Sequence, residues 1–265
     1  MSKGKVLVIG SNATEIEVQG GTRKIGQYLN ETVIPIWALQ HADYETVLAT
    51  PSGAQPHLDE TALSAQHFGG DEAVFRRAAT FFANDPSMTQ VRTLGAVIDK
   101  GLENYVGVFV PGGHAPVVDL MQDPDVGRIL SHFHAHRKPT ALICHGPIAL
   151  IAVLPAAHEF RAALVTGDRA KAVELAKGWQ YAGYKMTIYS NSESKPVEEQ
   201  LFHAKMLFHV ADALQMAGGQ LSIGVVDFDA HVVEDRELIT GQNPRSDHLV
   251  GAALVNALER ARTAV

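Results

Sequence analysis

The segment Thr140-Ala-Leu-Ile-Cys-His-Gly-Pro147 decides the fold, because an apolar run meets a cysteine and then a Gly-Pro step. A short continuous apolar run predicts a strand that is buried on both faces, and the Gly-Pro step predicts a turn into the apolar helix that follows. Two runs of the same kind, Lys5-Val-Leu-Val-Ile-Gly10 and Gly107-Val-Phe-Val-Pro111, also end at glycine or proline. Strands buried on both faces are typical of parallel sheets.

Segments with helical spacing of apolar residues separate these runs. Residues 24–41 form one predicted helix, which precedes a predicted strand over 44–50. A second predicted helix around 126–136 lies between the apolar runs that begin at 107 and 140. The pattern then predicts a strand over 185–189, a helix over 197–216, and a closing helix over 246–260 that residues 237–241 precede. The repeated strand and helix order predicts an α/β fold, with a mostly parallel sheet and helices on both faces.

We interpret residues 1–265 as a single domain, because no Pro/Ser-rich linker, charge block or internal repeat divides the chain. Two irregular stretches near 53–104 and 155–184 are predicted insertions. They either cover a site or form an interface, or they are ordinary surface excursions, and the sequence leaves these alternatives open.

The composition excludes several classes of protein. Of the 265 residues 46% are hydrophobic, and the formal net charge is −7, so the chain is neither disordered nor suited to nucleic acid as its main partner. The single cysteine excludes an internal disulfide and a multi-thiolate zinc site. No apolar run approaches the roughly 20 residues that span a membrane, and the first residues lack a signal-peptide core. We therefore expect a soluble cytoplasmic protein.

Cys144 is a candidate nucleophile, because it lies where the predicted strand turns into the next helix. Side chains at such a turn stand above the carboxyl ends of the strands, where α/β proteins bind ligands. The helix amino terminus and the adjacent His145 would both favour a thiolate. The alternative is that Cys144 is a small core residue, as most free cysteines are. The His-Gly-Pro sequence that follows favours the nucleophile.

A second candidate group is Gly112-Gly113-His114, which follows another predicted buried strand. Glycines let the backbone pass close to a bound group, so the amides of Gly113 and His145 could form a two-donor oxyanion hole. A Gly-Gly turn alone is weak support for this site. His114 either lines the pocket or caps the following helix.

Glu31 is a third candidate, because it lies among apolar residues on a predicted helix with Pro35 four positions later. Proline cannot donate the helical hydrogen bond to the Glu31 carbonyl, which predicts a kink nearby. If the Glu31 carboxyl faces the thiol from a partly apolar wall, its pKa rises and it can carry a proton. The alternative is a solvated surface glutamate.

Metal and nucleotide sites have no support in the sequence. The 13 histidines include His132, His134 and His136, whose spacing of two points them in different directions on a helix. The glycines near Gly10 and Gly20 match neither a dinucleotide fingerprint nor a P-loop. We therefore expect no cofactor and no metal.

Taken together, several motifs resemble the ThiJ/PfpI superfamily. They are most similar to its heat-shock-protein-31-like branch, which includes glutathione-independent glyoxalases (glyoxalase III), chaperones and proposed protein deglycases. The matching segments are Gly26-Gln-Tyr-Leu-Asn-Glu31 with Pro35, Thr50-Pro-Ser-Gly53 with Asp59, Val110-Pro-Gly-Gly-His114, Ile143-Cys-His-Gly-Pro147, Trp179-Gln-Tyr-Ala-Gly-Tyr-Lys185 with Ser190-Asn191, and Thr240-Gly-Gln-Asn-Pro-Arg-Ser246. The resemblance implies a flavodoxin-like three-layer sandwich of the class I glutamine-amidotransferase type and a homodimer. It also implies a nucleophilic Cys144 on an elbow, with His145 beside it and Glu31 hydrogen-bonded to the thiol.

Two departures from the family pattern concern the same site. The family elbow usually has a small residue two positions before the cysteine, where this chain has Leu142. Relatives complete a Cys-His-acid triad from a segment with two successive acids, which reads Glu193-Ser194 here. We assign the orienting acid to Glu193. If the acid belongs at the second position, Ser194 occupies that position, and the pairing of His145 with an orienting residue is weaker.

The resemblance implies an enzyme without cofactor that acts on a small-molecule aldehyde. We expect a glyoxalase that converts 2-oxoaldehydes such as methylglyoxal to 2-hydroxy acids, D-lactate in that case, through Cys144, His145 and Glu31, and that also protects against stress as a deglycase. Two alternatives stay open. One is a cysteine-dependent hydrolase of small amides or peptides. The other is a holding chaperone or oxidation sensor in which the thiol is oxidised.

Overall fold

A seven-stranded sheet forms the centre of the computed structural model, which describes residues 2–263. The strands of the chain are β1 (Lys5–Ile9), β2 (Glu15–Val18), β3 (Gly21–Lys24), β4 (Glu45–Thr50), β5 (Arg92–Thr93), β6 (Tyr105–Val110), β7 (Thr140–Ile143), β8 (Lys185–Met186), β9 (Gln220–Leu221), β10 (Val232–Asp235) and β11 (Leu238–Gly241). The central sheet has the order β10-β11-β7-β6-β1-β4-β5. Its strands pair in parallel except at the β10–β11 edge, which is antiparallel.

Most of the helices lie between the strands, and the last helix follows them. They are α1 (Leu29–His41), α2 (Glu72–Asn84), α3 (Pro86–Thr89), α4 (Leu94–Asp99), α5 (Pro124–Ala135), α6 (Ala157–Thr166), α7 (Arg169–Leu175), α8 (Asn191–Pro196), α9 (Val210–Met216) and α10 (Asp247–Thr263). The connection β1-α1-β4 runs towards one edge of the sheet, and β6-α5-β7 runs towards the other. Because such crossovers are right-handed, α1 and α5 cover opposite faces. The predicted mostly parallel sheet with helices on both faces is confirmed.

The apolar runs form the central strands because both of their faces are covered. All four residues of β7 are buried, as are four of the five residues of β1. The helices α1 and α10 pack together so closely that a Cβ at Gly251 would lie 3.1 Å from the Pro35 Cα. The strand predictions for this central part of the chain are therefore confirmed. The helix predicted over 24–41 begins only at Leu29, because residues Gly21–Lys24 form β3.

The prediction of one helix over 197–216 is wrong. The chain forms a single π-helical segment, Val197–Phe202, and the α-helix begins only at Val210. His203 has a left-handed backbone conformation (φ 49°), which an α-helix cannot contain. The predicted strand over 185–189 is also shorter, since β8 spans two residues and pairs with β9 outside the main sheet.

The two predicted insertions differ in what they contribute. The stretch 53–104 holds α2 to α4 and adds the edge strand β5 to the sheet. The stretch 155–184 holds α6 and α7, and Trp179 Nε1 donates a hydrogen bond to the Leu150 carbonyl at 2.9 Å. Within residues 2–263, no helix combines the length and the hydropathy that crossing a bilayer requires.

Candidate active site

Cys144 lies directly after β7 with a strained backbone. Its φ of 59° is in the left-handed region, which costs a residue with a side chain on the order of 1–2 kcal/mol. Two hydrogen bonds hold the strained turn, since the Cys144 amide donates to the Gly241 carbonyl (2.8 Å) and the Tyr189 amide donates to the Cys144 carbonyl (3.0 Å). The side chain is therefore held at the carboxyl ends of the parallel strands.

Gly112 and Gly113 let the β6 turn pass against the thiol. A Cβ at Gly112 would collide with the Glu31 carboxylate and would lie 2.6 Å from the Cys144 Cβ, so only glycine fits. Gly113 has φ 82°, which also favours glycine. The amides of Gly113 and His145 both interact with the Cys144 sulfur and lower its pKa. The structure therefore brings together the two predicted oxyanion donors.

Glu31 is fully buried beside the thiol. Burial raises the pKa of this carboxyl to about 8, and the thiol and the amides of Gly112 and Gly113 offset only part of that rise. Neither carboxyl oxygen has a hydrogen-bond partner of regular geometry within residues 2–263. At neutral pH Glu31 is therefore mainly protonated and can donate a proton into the site.

His145 contacts the thiol directly, with Nδ1 at 3.3 Å from the sulfur. Its ring stacks on Tyr189 at 4.6 Å and lies 4.3 Å from the ring of His114, measured between centroids. Burial, and then the neighbouring His114, lower the pKa of His145 well below its ordinary value. His145 is therefore neutral and can accept the thiol proton.

The expectation that the surroundings favour a thiolate is wrong for this closed site. Burial raises the pKa of the Cys144 thiol well above its ordinary value, and the charge of Glu31 raises it further. The expected positive partners are weak, because His145 is neutral and the segment after it, Gly146–Val153, is a 3-10 helix rather than an α-helix. Desolvation thus outweighs the amides that favour the thiolate.

The structure does not pair Glu193 with His145. One carboxylate oxygen of Glu193 accepts the Ser190 amide (3.0 Å), and the other accepts the Phe228 amide and the Asn243 Nδ2, both at 2.8 Å. The bond to the Ser190 amide completes a capping box, in which Ser190 is the N-cap of α8 and Glu193 is its third residue. The orienting role that we assigned to it from the sequence is therefore not formed in this structure.

Ser194, the alternative position for the acid, does lie near His145, and the two line the same small cavity. Its hydroxyl donates a 2.9 Å hydrogen bond to the Ser190 carbonyl within its own helix. Within residues 2–263, no carboxylate hydrogen-bonds to His145. The arrangement is therefore a Cys-His pair with Glu31 beside the same thiol.

We expect Glu193→Gln to lower the stability of the fold rather than to change the ionisation of the site. The variant replaces an acceptor of three hydrogen bonds by an amide, which should cost about 1–3 kcal/mol of unfolding free energy. Chemical denaturation would measure the loss, and the pH dependence of turnover should keep its shape. A shifted pH profile with unchanged stability would instead support the orienting role.

His114 lines the cavity at Cys144 and makes no capping hydrogen bond to the helical turn that it precedes. Burial lowers its pKa to about 4, so it is neutral. The ring of Phe202 covers it at a centroid distance of 5.1 Å, and Arg23 Nε donates a hydrogen bond to the Phe202 carbonyl. The π-helical segment therefore forms the roof of the site.

The cavity at Cys144 is nearly closed. Its volume is about 20 Å³, enough for about one water molecule, and it is also lined by Tyr28, Tyr189 and Pro244. Sequence reasoning assigned no role to these three residues. Pro244 follows β11, so it could have been predicted as a residue near the carboxyl end of another strand. No local sequence pattern identifies Tyr189 as a site residue, because it is brought into the site only by its contacts with Cys144 and His145.

Phe202→Ala should open this roof. Since Cys144 is the only cysteine of the chain, the rate at which a thiol reagent labels the native protein measures access to the site alone. We expect labelling to become severalfold faster in Phe202→Ala. The matched control is Phe81→Ala, because Phe81 packs against Trp37 away from the site. Equal labelling rates in both variants would show that Phe202 is not the barrier.

Within the described residues, no group of three or more histidine, cysteine, aspartate or glutamate side chains could hold a metal ion. The surroundings of Cys144 offer one thiol, the neutral imidazoles of His114 and His145, the protonated carboxyl of Glu31, and two amide donors. Such a set can add a thiol to a carbonyl, stabilise the oxyanion that results and move protons without a metal.

The sequence pattern of the DJ-1/PfpI family matches residues 27–159, half of the chain, and this range holds Glu31, the Gly112-Gly113 turn, Cys144 and His145. The chain belongs to the DJ-1/PfpI family. A DJ-1/PfpI relative of Staphylococcus aureus (strain MSSA476), "Protein/nucleic acid deglycase HchA", is 27% identical over 262 residues, which cover 97% of this chain and 80% of the relative.

Solved structures share the fold of this chain. The Rapid Encystment Protein 24 kDa of Francisella tularensis has a TM-score of 0.75 at 20% identity and covers 96% of this chain and 99% of its own. Glyoxalase III from Candida albicans has a TM-score of 0.70 at 18% identity and covers 96% and 97% of the two chains. At these identities the likeness concerns the fold, and it confirms the predicted flavodoxin-like three-layer sandwich.

Proposed function

We propose that this protein is a cofactor-independent glyoxalase, which converts 2-oxoaldehydes such as methylglyoxal to 2-hydroxy acids such as D-lactate. The observation that carries the proposal is the group of proton carriers around Cys144. A protonated Glu31 lies beside the thiol, and the neutral His145 contacts the same thiol at 3.3 Å. The names of two similar proteins, a protein/nucleic acid deglycase and a glyoxalase III, support the same kind of chemistry.

The first step is addition of the Cys144 sulfur to the aldehyde carbon. His145 takes the thiol proton, the carbon–sulfur bond forms, and Glu31 gives its proton to the aldehyde oxygen. The product is a hemithioacetal, and Glu31 is left as a carboxylate. The amides of Gly113 and His145 stabilise the oxygen while it carries negative charge.

The second step moves hydrogen between the two carbons of the substrate. The Glu31 carboxylate removes the proton of the former aldehyde carbon, and protonated His145 gives its proton to the ketone oxygen, which makes an enediol. Glu31 then returns a proton to the second carbon while His145 takes the hydroxyl proton of the first, which makes a thioester. One carbon is oxidised and its neighbour reduced, so the step needs no external electron carrier.

The third step is hydrolysis. Glu31 accepts a proton from water as the water adds to the thioester, the carbon–sulfur bond breaks, and His145 returns a proton to the sulfur. The 2-hydroxy acid leaves, and all three groups regain their starting protonation states. The net reaction consumes one water molecule per aldehyde.

The test is turnover of methylglyoxal by the purified protein in D2O, without glutathione and without a nicotinamide. We expect D-lactate, detected with a D-lactate-specific dehydrogenase after quenching. Nuclear magnetic resonance should show deuterium at its second carbon, because a proton held by Glu31 exchanges with solvent. Absence of lactate would overturn the proposal. Lactate with only protium at that carbon would overturn the enediol route.

The same geometry weakens the amide hydrolase alternative. Within residues 2–263 no carboxylate hydrogen-bonds to His145, so the orienting acid of a hydrolytic Cys-His-acid triad is not formed. A holding chaperone would be favoured instead if the protein suppressed aggregation of an unfolded client without any turnover. Deglycase activity would need the same nucleophile, and it is assayed with a glycated peptide in place of methylglyoxal.

We further propose that the protein acts as a single-domain homodimer in the cytoplasm. The family resemblance implies the homodimer, the lack of a linker favours the single domain, and the composition favours the cytoplasm. Sedimentation equilibrium should give the mass of two chains, and calorimetry should give one unfolding transition. The mass of one chain would contradict the dimer, and two separable transitions would contradict the single domain.

A further inference from the structure

A cleft of about 810 Å³ adjoins the candidate active site. Pro244 lines both this cleft and the small cavity at Cys144, so the two spaces adjoin at this proline. Phe68 and Phe228 also line the cleft, together with the basic residues His67, Arg245 and His248. A substrate whose carbonyl end reaches Cys144 past Pro244 would place its other end here.

The rim of the cleft is basic. The Arg245 side chain is 72% exposed, and its nearest acid is Asp229, with the guanidinium nitrogen 3.8 Å from the carboxylate oxygen. Exposed pairs of such length contribute little free energy. The Arg245 guanidinium can therefore bind an added anion at small cost, and His67 and His248 lie on the same cleft.

One acidic side chain, Asp247, lies among the described residues that line the cleft. Its carboxylate is already satisfied, because it accepts the His248 amide at 2.6 Å and the Asn30 Nδ2 at 2.9 Å. Burial also raises the pKa of Asp247. The two donors partly offset the negative charge that Asp247 presents to an anion in the cleft.

We propose that this cleft is a substrate subsite for a carboxylate, and that the enzyme prefers 2-oxoaldehydes that carry one. Arg245 binds the carboxylate, His248 donates a further hydrogen bond to it, and Phe68 and Phe228 contact the carbon chain between the carboxylate and the carbonyls. This inference rests on the glyoxalase function proposed above. It names the chemistry of the part of the substrate that does not react.

The test compares two 2-oxoaldehydes with the same carbon chain. One is 4,5-dioxopentanoate, which ends in a carboxylate, and the other is 2-oxopentanal, which ends in a methyl group. We expect kcat/KM to be about tenfold higher for the carboxylate, as for one charge-assisted hydrogen-bonded contact. The ratio should fall as salt is added, because the contact is partly exposed.

Arg245→Gln should bring the ratio of the two kcat/KM values close to one, and His248→Gln should lower it less. The matched control is Arg260→Gln, because Arg260 is an exposed arginine that pairs with Glu234 (3.1 Å) away from the cleft. That variant should keep the ratio of the unmodified protein. Equal kcat/KM values in the unmodified protein, or an unchanged ratio in Arg245→Gln, would overturn the subsite.

A binding measurement separates failure of the subsite from failure of the proposed function. If neither aldehyde is turned over, calorimetric titration with 4-oxopentanoate still tests the cleft, because this compound has the carboxylate and lacks the aldehyde. Binding that Arg245→Gln weakens and Arg260→Gln does not would support the subsite. Absence of binding to the unmodified protein would overturn it.

Discussion

Cys144→Ser should reduce lactate formation from methylglyoxal by roughly 10³-fold or more. The serine hydroxyl has nearly the shape of the thiol but is a far weaker acid, and the neutral His145 at 3.3 Å cannot ionise it. The loss should appear in kcat, measured with saturating methylglyoxal, because the variant lacks the reactive thiol but leaves the size of the site nearly unchanged.

Two controls distinguish chemistry from misfolding in this experiment. The thermal midpoint of Cys144→Ser should stay near that of the unmodified protein, since the serine keeps the elbow and its hydrogen bonds to Gly241 and Tyr189. Alkylation of the unmodified protein should cause the same loss, because Cys144 is its only thiol. Turnover that survives both changes would exclude a cysteine mechanism.

The central sheet could be predicted because its signal is local. The buried runs that became β1, β6 and β7 are continuous and end at glycine, proline or cysteine, so each strand and the turn after it follow from adjacent residues. Glu31, Gly112, Gly113 and Cys144 lie just after these strands or on the first turn of α1. Their approach to one another follows from the parallel order of the strands.

The roof could not be predicted, because its conformation depends on distant contacts. The Phe202 ring packs on His114, and the Phe202 carbonyl accepts a hydrogen bond from Arg23, 179 residues earlier. These contacts hold a π-helical segment where apolar spacing favoured a continuous helix. The spacing of a sequence cannot report a partner that lies on another element.

The ionisation of the site was missed for a similar reason. The sequence shows that His145 follows Cys144. How far these two side chains are shielded from water depends on Tyr189 and on the roof, which includes Phe202. Burial is the largest cause of every pKa shift at Glu31, Cys144 and His145. Glu193 was misassigned because the hydrogen bonds that occupy it come from Phe228 and Asn243, which lie 35 and 50 residues away.

Glu31→Gln should lower kcat by about 10²- to 10⁴-fold, which is the usual contribution of a positioned proton carrier. Glutamine keeps the shape of the protonated carboxyl and a hydrogen-bond donor beside the thiol, but it cannot release a proton to the substrate or take one from it. The KM for methylglyoxal should change little. A kcat within a few-fold of the unmodified protein would assign proton transfer to another residue.

The same variant should be more stable than the unmodified protein, by an amount that grows with pH. The pKa of Glu31 is about 8 in the folded chain and 4.5 ordinarily, so between these values the unfolded chain releases a proton that the folded chain retains. Each pH unit in that interval therefore lowers the unfolding free energy of the unmodified protein by about 1.4 kcal/mol. Below pH 4.5 both states are protonated, and above pH 8 both have released the proton. Denaturation curves at several pH values should show a stability difference between Glu31→Gln and the unmodified protein that widens from pH 4.5 to about 8 and then levels. A constant difference would mean that Glu31 is already ionised in the folded protein, and the thiol would then lack the acid that the proposed first step requires.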